Sequence, residues 1–318
     1  MGIRQEVTTF WIERGRAAVR TFSLSFLLLA PPGTQAALSV LTTTANLQSL
    51  VEAVGGDRVS AVSLVPAGSD AEEYAPRPQD LDRIRGASMV VRVGLDYDLW
   101  LDRLLRQSGK PALLRGGSGH VDASNAVVLL EVKGGGLSGG AHAHGAGNPH
   151  YWLDPKNADV ITGNIVEALA RLDSLNAKYY EQRRIDFLAR LEQRIKVWQL
   201  KLAPLAGKPL LTYHNNWPYF ARRFRLNFIG TIEPRPGVAP SPAALAGLIR
   251  RMREEQVSVI VRHPQEPARD VDFLARKVGA RVVILAASVG DLPQAQDYFS
   301  LFEANIAALA AGFSGGPQ

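Results

Sequence analysis

The segment NAKYYEQRRIDFLARLEQRIKVWQLKL, residues 176–202, decides how the rest of the chain is organised. Its apolar residues recur every three or four positions, which is the period of one face of an α-helix, and its other face is charged. This apolar stripe comprises Ile185, Leu188, Leu191, Ile195, Trp198 and Leu202. At about 1.5 Å per residue the helix is roughly 40 Å long, enough to run along two lobes and to limit hinge motion between them. A coiled-coil dimer is the alternative use of such a stripe.

Short β-branched runs alternate with amphipathic stretches on both sides of this helix. The predicted strands are 38–41, 59–65, 89–93 and 127–132 before it, and 210–213, 228–232, 257–262 and 282–285 after it. The amphipathic stretches include 97–107, 243–255 and 270–278, and a further helix is predicted to begin with Asp154 as N-cap and Pro155 in its first turn. Such alternation indicates parallel sheets covered by helices. We therefore predict an α/β fold with an N-terminal lobe (37–175), a rigid linking helix (176–203) and a C-terminal lobe (204–318).

Residues 1–36 have the three-part pattern of a secretory signal. The first twenty residues are positively charged on balance, and the apolar run FSLSFLLLA follows at 22–30. Thr34-Gln35-Ala36 then offers a small-x-small cleavage site. The apolar run is too short to span a bilayer. We predict a cleavable signal peptide and a periplasmic mature protein.

The composition excludes several kinds of site. The chain has no cysteine, so disulfides, thiolate metal sites and cysteine nucleophiles are excluded, and any metal must be held by His, Asp or Glu. The formal net charge is +6, but the basic residues are scattered rather than gathered into a run. We therefore expect no nucleic-acid partner.

The six histidines occur in different contexts. His150 lies in a turn before a predicted helix, and His214 follows a predicted strand, where open α/β sheets bind ligands. A pair in opposite lobes suits a metal site in the cleft between them. Glu72 and Glu73 lie in another loop after a strand, and the sequence leaves open which of them faces the cleft.

The segment 134–147, GGGLSGGAHAHGAG, is too rich in glycine to form an element of its own. It is predicted to be a flexible loop, in which His142 and His144 either collect metal loosely or have no role. His120 is interpreted as a surface residue.

Four segments together resemble the zinc- and manganese-type solute-binding proteins of bacterial ABC metal importers. They are PAGSDAEEYAPRPQDL (66–81), NPHYWLDP (148–155), TYHNNWPYFARRF (212–224) and GVAPSP (237–242). The resemblance extends from Leu38 to about Gly312 and places metal ligands at His150 and His214. Where the family has the His of Asp-Pro-His, this chain has Glu72.

Two further positions depart from the family pattern. The carboxylate expected before the turn Ser288-Val289-Gly290 is replaced by Ala287, although Asp291 follows the turn. The acidic residue expected after the third strand of the C-terminal lobe is His263. The expected ligands are therefore Glu72, His150 and His214, with His263, Asp291 or water as a fourth.

The resemblance implies a monomeric receptor, not an enzyme, that binds a divalent metal and delivers it to a membrane ABC permease. Two imidazoles and a carboxylate suit zinc best, with manganese or iron as alternatives. A receptor for a metal chelate, a metal-dependent hydrolase using the same three residues, and an adhesin are the other hypotheses. The hydrolase hypothesis lacks an identifiable general base.

Overall fold

The computed structural model describes residues 36–69, 71–72, 74–131 and 147–314. The N-terminal lobe contains a parallel sheet with the strand order β2-β1-β3-β4. Its elements are β1 (Leu38–Thr42), α1 (Ala45–Gly55), β2 (Val59–Ser63), α2 (Pro78–Gly86), β3 (Met89–Arg92), α3 (Trp100–Ser108) and β4 (His120–Asp122). The signal peptide predicted for residues 1–36 lies, except for Ala36, outside the described residues.

The second sheet lies in the C-terminal lobe and is also parallel, with the order β6-β5-β7-β8. Two helices precede it, α4 (Asn157–Leu172) and α5 (Ala177–Leu202). Its own elements are β5 (Pro209–Thr212), α6 (Pro218–Phe224), β6 (Asn227–Thr231), α7 (Pro242–Glu254), β7 (Val259–Arg262), α8 (Ala268–Val278), β8 (Arg281–Ile284) and α9 (Tyr298–Ser314). The prediction of two lobes with parallel sheets covered by helices is confirmed.

The predicted fourth strand was wrong. Residues 127–131 form no strand, and β4 lies instead at His120–Asp122, where it pairs with β3 through Val90, Val91 and Arg92. The backbone N–H of Leu130 instead donates a hydrogen bond to the Tyr219 hydroxyl. The apolar run at 127–131 resembles a strand in sequence, but it packs against another part of the chain instead of joining the sheet.

The start of α4 also differs from the prediction. The helix begins at Asn157, and Lys156, rather than Asp154, occupies the N-cap position. The Asp154 carboxylate does accept a hydrogen bond from the Lys156 backbone, but its other contacts are to Arg222 and Arg223. The Asp154 side chain therefore contributes to a tertiary ion pair as well as to the turn before the helix.

The long helix α5 packs against α1, α4 and α9. Its buried face includes Phe187, whereas Ile185, which the pattern placed on the stripe, is 50% exposed. Trp198 stacks on Phe302 of α9 with ring centroids 5.2 Å apart. The stripe is thus buried within the chain, and one hydrophobic core runs from Val40 in the first sheet to Val261 in the second. No helix in the described part of the chain is long and apolar enough to cross a bilayer.

Candidate metal centre

The site lies where the carboxyl ends of strands from both sheets meet. Glu72 lies in the loop that follows β2, and His150 comes just before a 3-10 turn at Tyr151–Leu153. His214 lies two residues after β5, a central strand of the second sheet. Ligands of open α/β sheets bind at this edge, beside the strand where the order reverses. The N-terminal lobe therefore supplies two of the three side chains and the C-terminal lobe supplies the third.

These three side chains converge. Each offers one ligand atom, and the three atoms all lie within 4.8 Å of one another. His150 Nε2 is 3.4 Å from Glu72 Oε1, and the His150 and His214 rings have centroids 5.7 Å apart. A single cation could contact all three atoms, and their chemistry is that of a two-histidine, one-carboxylate metal site.

His150 is held in a rigid environment and is only 4% exposed. Its backbone N–H donates to Asn148 Oδ1 at 3.0 Å, and its ring Nδ1 lies 3.2 Å from the same oxygen. The rings of Tyr97 and Trp152 pack around it. Because Nδ1 faces the amide oxygen, Nε2 is the nitrogen turned toward Glu72.

His214 is held by a carboxylate. Its Nδ1 lies 2.6 Å from Glu233 Oε2. Burial by itself lowers the pKa of His214, but the hydrogen bond to Glu233 and the negative charges of Glu72 and Glu233 outweigh it. The pKa of His214 therefore lies above its ordinary value of 6.5 in the metal-free site.

The two predicted candidates for a fourth ligand line the same cavity but do not belong to the converging group. His263 Nδ1 lies 2.9 Å from Gln265 Oε1, and its Nε2 lies 3.2 Å from Glu266 Oε1. Asp291 Oδ2 accepts the backbone N–H groups of Ala287 and Ser288. Among the described residues, the geometry therefore brings together Glu72, His150 and His214 alone.

Glu266 is a further carboxyl group of this cavity and is only 7% exposed. Burial raises the pKa of Glu266 to about 8, although the backbone N–H groups of His263 and His214 donate to it. At neutral pH the side chain is therefore largely protonated.

The cavity has a volume of about 390 Å³. Besides the residues already named, it is lined by the start of α1, at Thr44, Ala45 and Asn46, and by Tyr97 and Trp152. This space leaves room for water or another small ligand beside a bound ion.

Sequence reasoning missed Asn148, Glu233 and Glu266. Glu233 does lie just after β6, at the same sheet edge as His214, and that position was the available signal. Of the residues predicted to bear on metal binding, Glu73, His142 and His144 lie outside the described residues. His120, interpreted as a surface residue, begins β4 and is partly buried beside the Leu113 carbonyl oxygen.

The family model for the periplasmic component A of the zinc-uptake complex, ZnuA, matches residues 40–312. The chain belongs to the ZnuA family. The match includes all three converging side chains and both sheets, as the resemblance of the four segments predicted.

Individual relatives are similar over most of their length. The high-affinity zinc uptake system protein ZnuA of Bacillus subtilis is 25% identical over 287 residues, which cover 86% of each chain. The iron ABC transporter substrate-binding lipoprotein MtsA of Streptococcus pyogenes is 22% identical over 91% of this chain and 95% of its own. A crystal structure of a ZnuA deletion mutant with zinc bound has a TM-score of 0.75 and 27% identity, covering 88% of this chain and all of that one.

Proposed function

We propose that this protein is a periplasmic receptor that binds a divalent transition metal between its two lobes and delivers it to an ABC importer in the membrane. The observation that carries the proposal is the convergence of Glu72, His150 and His214, contributed by both lobes of a ZnuA-family chain, to within 4.8 Å. The metal is cargo, so the protein must capture it and later release it. The mature chain, freed of residues 1–36, acts as a monomer and docks on the permease.

The donor set supports zinc as the main cargo. Zinc accepts two imidazoles and one carboxylate with a further position open to water. Glu72 replaces an imidazole by a harder, charged oxygen donor, which favours tolerance of Mn²⁺ or Fe²⁺ as well. Relatives described as zinc and as iron receptors both exist, so the family accommodates such variation.

The geometry also supports a means of release. The ligands come from separate loops, so a small displacement of one loop relative to the others would weaken coordination. Protonation of the imidazoles would weaken binding further, since only neutral imidazole coordinates a metal. His142 and His144, on the glycine-rich segment, would supply a weak first contact for the ion.

Metal binding by purified mature protein tests this function. Wild type is compared with His150→Ala, His214→Ala and Glu72→Ala after equal exposure to zinc, manganese and iron, and bound metal is measured by elemental analysis. His120→Ala is the matched control, because it removes a histidine held by the Leu113 carbonyl rather than by the centre. We expect a single ion per chain in wild type and control, and less than one ion per chain in the three site variants. Wild-type protein without stoichiometric metal would refute the proposal.

A further inference from the structure

Two imidazoles of equal chemistry are held by partners of different charge. His150 faces the neutral amide oxygen of Asn148 at 3.2 Å, an oxygen that also accepts the His150 backbone N–H. His214 faces the Glu233 carboxylate at 2.6 Å. A carboxylate that accepts the second N–H of a ligating histidine fixes its tautomer and strengthens its metal-binding nitrogen, and a neutral amide does so more weakly.

Glu233 is held by two contacts to its carboxylate and one hydrogen bond from its backbone. Its Oε1 accepts the backbone N–H of Gly237 at 2.6 Å, while Oε2 contacts His214. The backbone N–H of Glu233 donates to the Tyr213 carbonyl, next to His214 in the chain. The side chain is only 6% exposed. Glu233 therefore holds the His214 ring in place with little freedom of its own.

The charge of the centre gives this carboxylate a further role. A divalent ion held by Glu72, His150 and His214 keeps one uncompensated positive charge after Glu72 is counted. A partly buried positive charge is costly unless a negative group lies near it. Glu233 supplies that charge through the His214 ring, without occupying a coordination position.

We propose that Glu233 is a positioning residue that sets the metal affinity of the centre through His214. This inference rests on the proposed function. It assigns His214 Nε2 to the metal and Nδ1–H to Glu233, and it makes His214 the stronger of the two imidazole donors.

A double-substitution cycle tests the proposal. Zinc affinity is measured by competition with a chelator for wild type, Glu233→Gln, His214→Ala and the double variant. Glu233→Gln should weaken binding by about 10- to 100-fold, as removal of such outer partners does. In the His214→Ala background the same change should have at most about a twofold effect, because Glu233 acts only through the missing ring. Glu255→Gln is the control, since it removes an exposed charge of the C-terminal lobe that is paired with Arg251.

Two results would overturn this inference while leaving the proposed function intact. One is Glu233→Gln protein that binds zinc as tightly as wild type. The other is an equal loss in both backgrounds, which would show that Glu233 acts without His214. If wild type itself binds no metal, the proposed function fails first.

Nuclear magnetic resonance of zinc-loaded wild-type protein, labelled with ¹⁵N at histidine, tests the same assignment without any variant. We expect the His214 ring to carry its proton on Nδ1, in slow exchange with water, and the metal on Nε2. A zinc-bound Nδ1 would overturn the proposal even if Glu233→Gln protein failed to fold.

Discussion

Replacement of Asp154 by alanine should destabilise the protein markedly, although Asp154 belongs to no ligand set. Its side chain is fully buried and accepts two hydrogen bonds from Arg223, Nε to Oδ1 at 2.7 Å and Nη2 to Oδ2 at 3.0 Å. Asp154 lies four residues after His150, and Arg223 lies on α6, the helix that follows His214. The pair therefore ties together the segments that carry the two histidines.

The magnitude follows from the burial of the two partners. Removing one member of a buried ion pair lowers the free energy of unfolding by about 3–5 kcal/mol when the other charge remains shielded from water. The Arg223 side chain is 26% exposed, so its guanidinium regains part of its hydration. We therefore expect the free energy of unfolding to fall by about 2–3 kcal/mol, at or below the lower end of that range. For a chain of this size the midpoint of thermal unfolding should fall by roughly 3–5 °C.

Thermal unfolding of metal-free protein, followed by circular dichroism, measures this loss. Glu192→Ala is the matched control, because it breaks the Lys156–Glu192 pair, whose side chains are 45% and 43% exposed. Exposed pairs contribute at most about 1 kcal/mol, so this variant should unfold within about 2 °C of wild type. An Asp154→Ala midpoint indistinguishable from that of Glu192→Ala would refute the reasoning that burial makes the Asp154 pair important.

Two further predictions concern the N-terminal lobe. Burial outweighs the hydrogen bond to the Leu113 carbonyl and lowers the pKa of His120 below 6.5. The unfolded chain therefore binds this proton more readily, and stability is lost as pH falls from about 6.5 toward the folded pKa. His120→Gln should remove this contribution to the dependence of unfolding free energy on pH, measured by urea titrations of metal-free protein. An unchanged dependence would contradict the lowered pKa of His120. Gly94 has a φ of +78°, and a Cβ there would overlap the Asp122 carboxylate, so Gly94→Ala should cost about 2–3 kcal/mol of unfolding free energy. Gly109→Ala, at a φ of +70° with open space around it, should cost only about 1 kcal/mol, and equal losses would exclude the overlap as a cause.

Much of the fold could be predicted because its signals are local. In the described part of the chain, seven of the eight strands lie within two residues of their predicted bounds, because strands of parallel sheets contain apolar runs that are visible in the sequence. Strand β4 was missed because its sequence, His-Val-Asp, has no such run. Its place at the edge of the sheet depends on its pairing with β3, a contact between residues far apart in sequence.

The candidate site, like the fold, could be predicted only in part from the sequence. The positions of His150 and His214 at loops beside strand and helix ends predicted that they face a common cleft, because the carboxyl ends of parallel strands share one edge. The hydrogen-bond partners of the two histidines could not be assigned from the spacing of residues in the sequence. Asn148 is two residues from its histidine, but Glu233 is nineteen residues from His214 and reaches it only because β6 pairs beside β5.

The sequence by itself determined the two α/β lobes, the long helix between them and the three side chains whose chemistry suits a metal. Each of these follows from periodicity, residue type or a motif that the chain carries locally. Only the tertiary structure decided that the α5 stripe is buried within the chain, that Asp154 pairs with Arg223 instead of capping α4, and that Glu233 holds His214. These contacts join residues distant in the chain, and their energy depends on which groups are brought together and shielded from water, which no local pattern records.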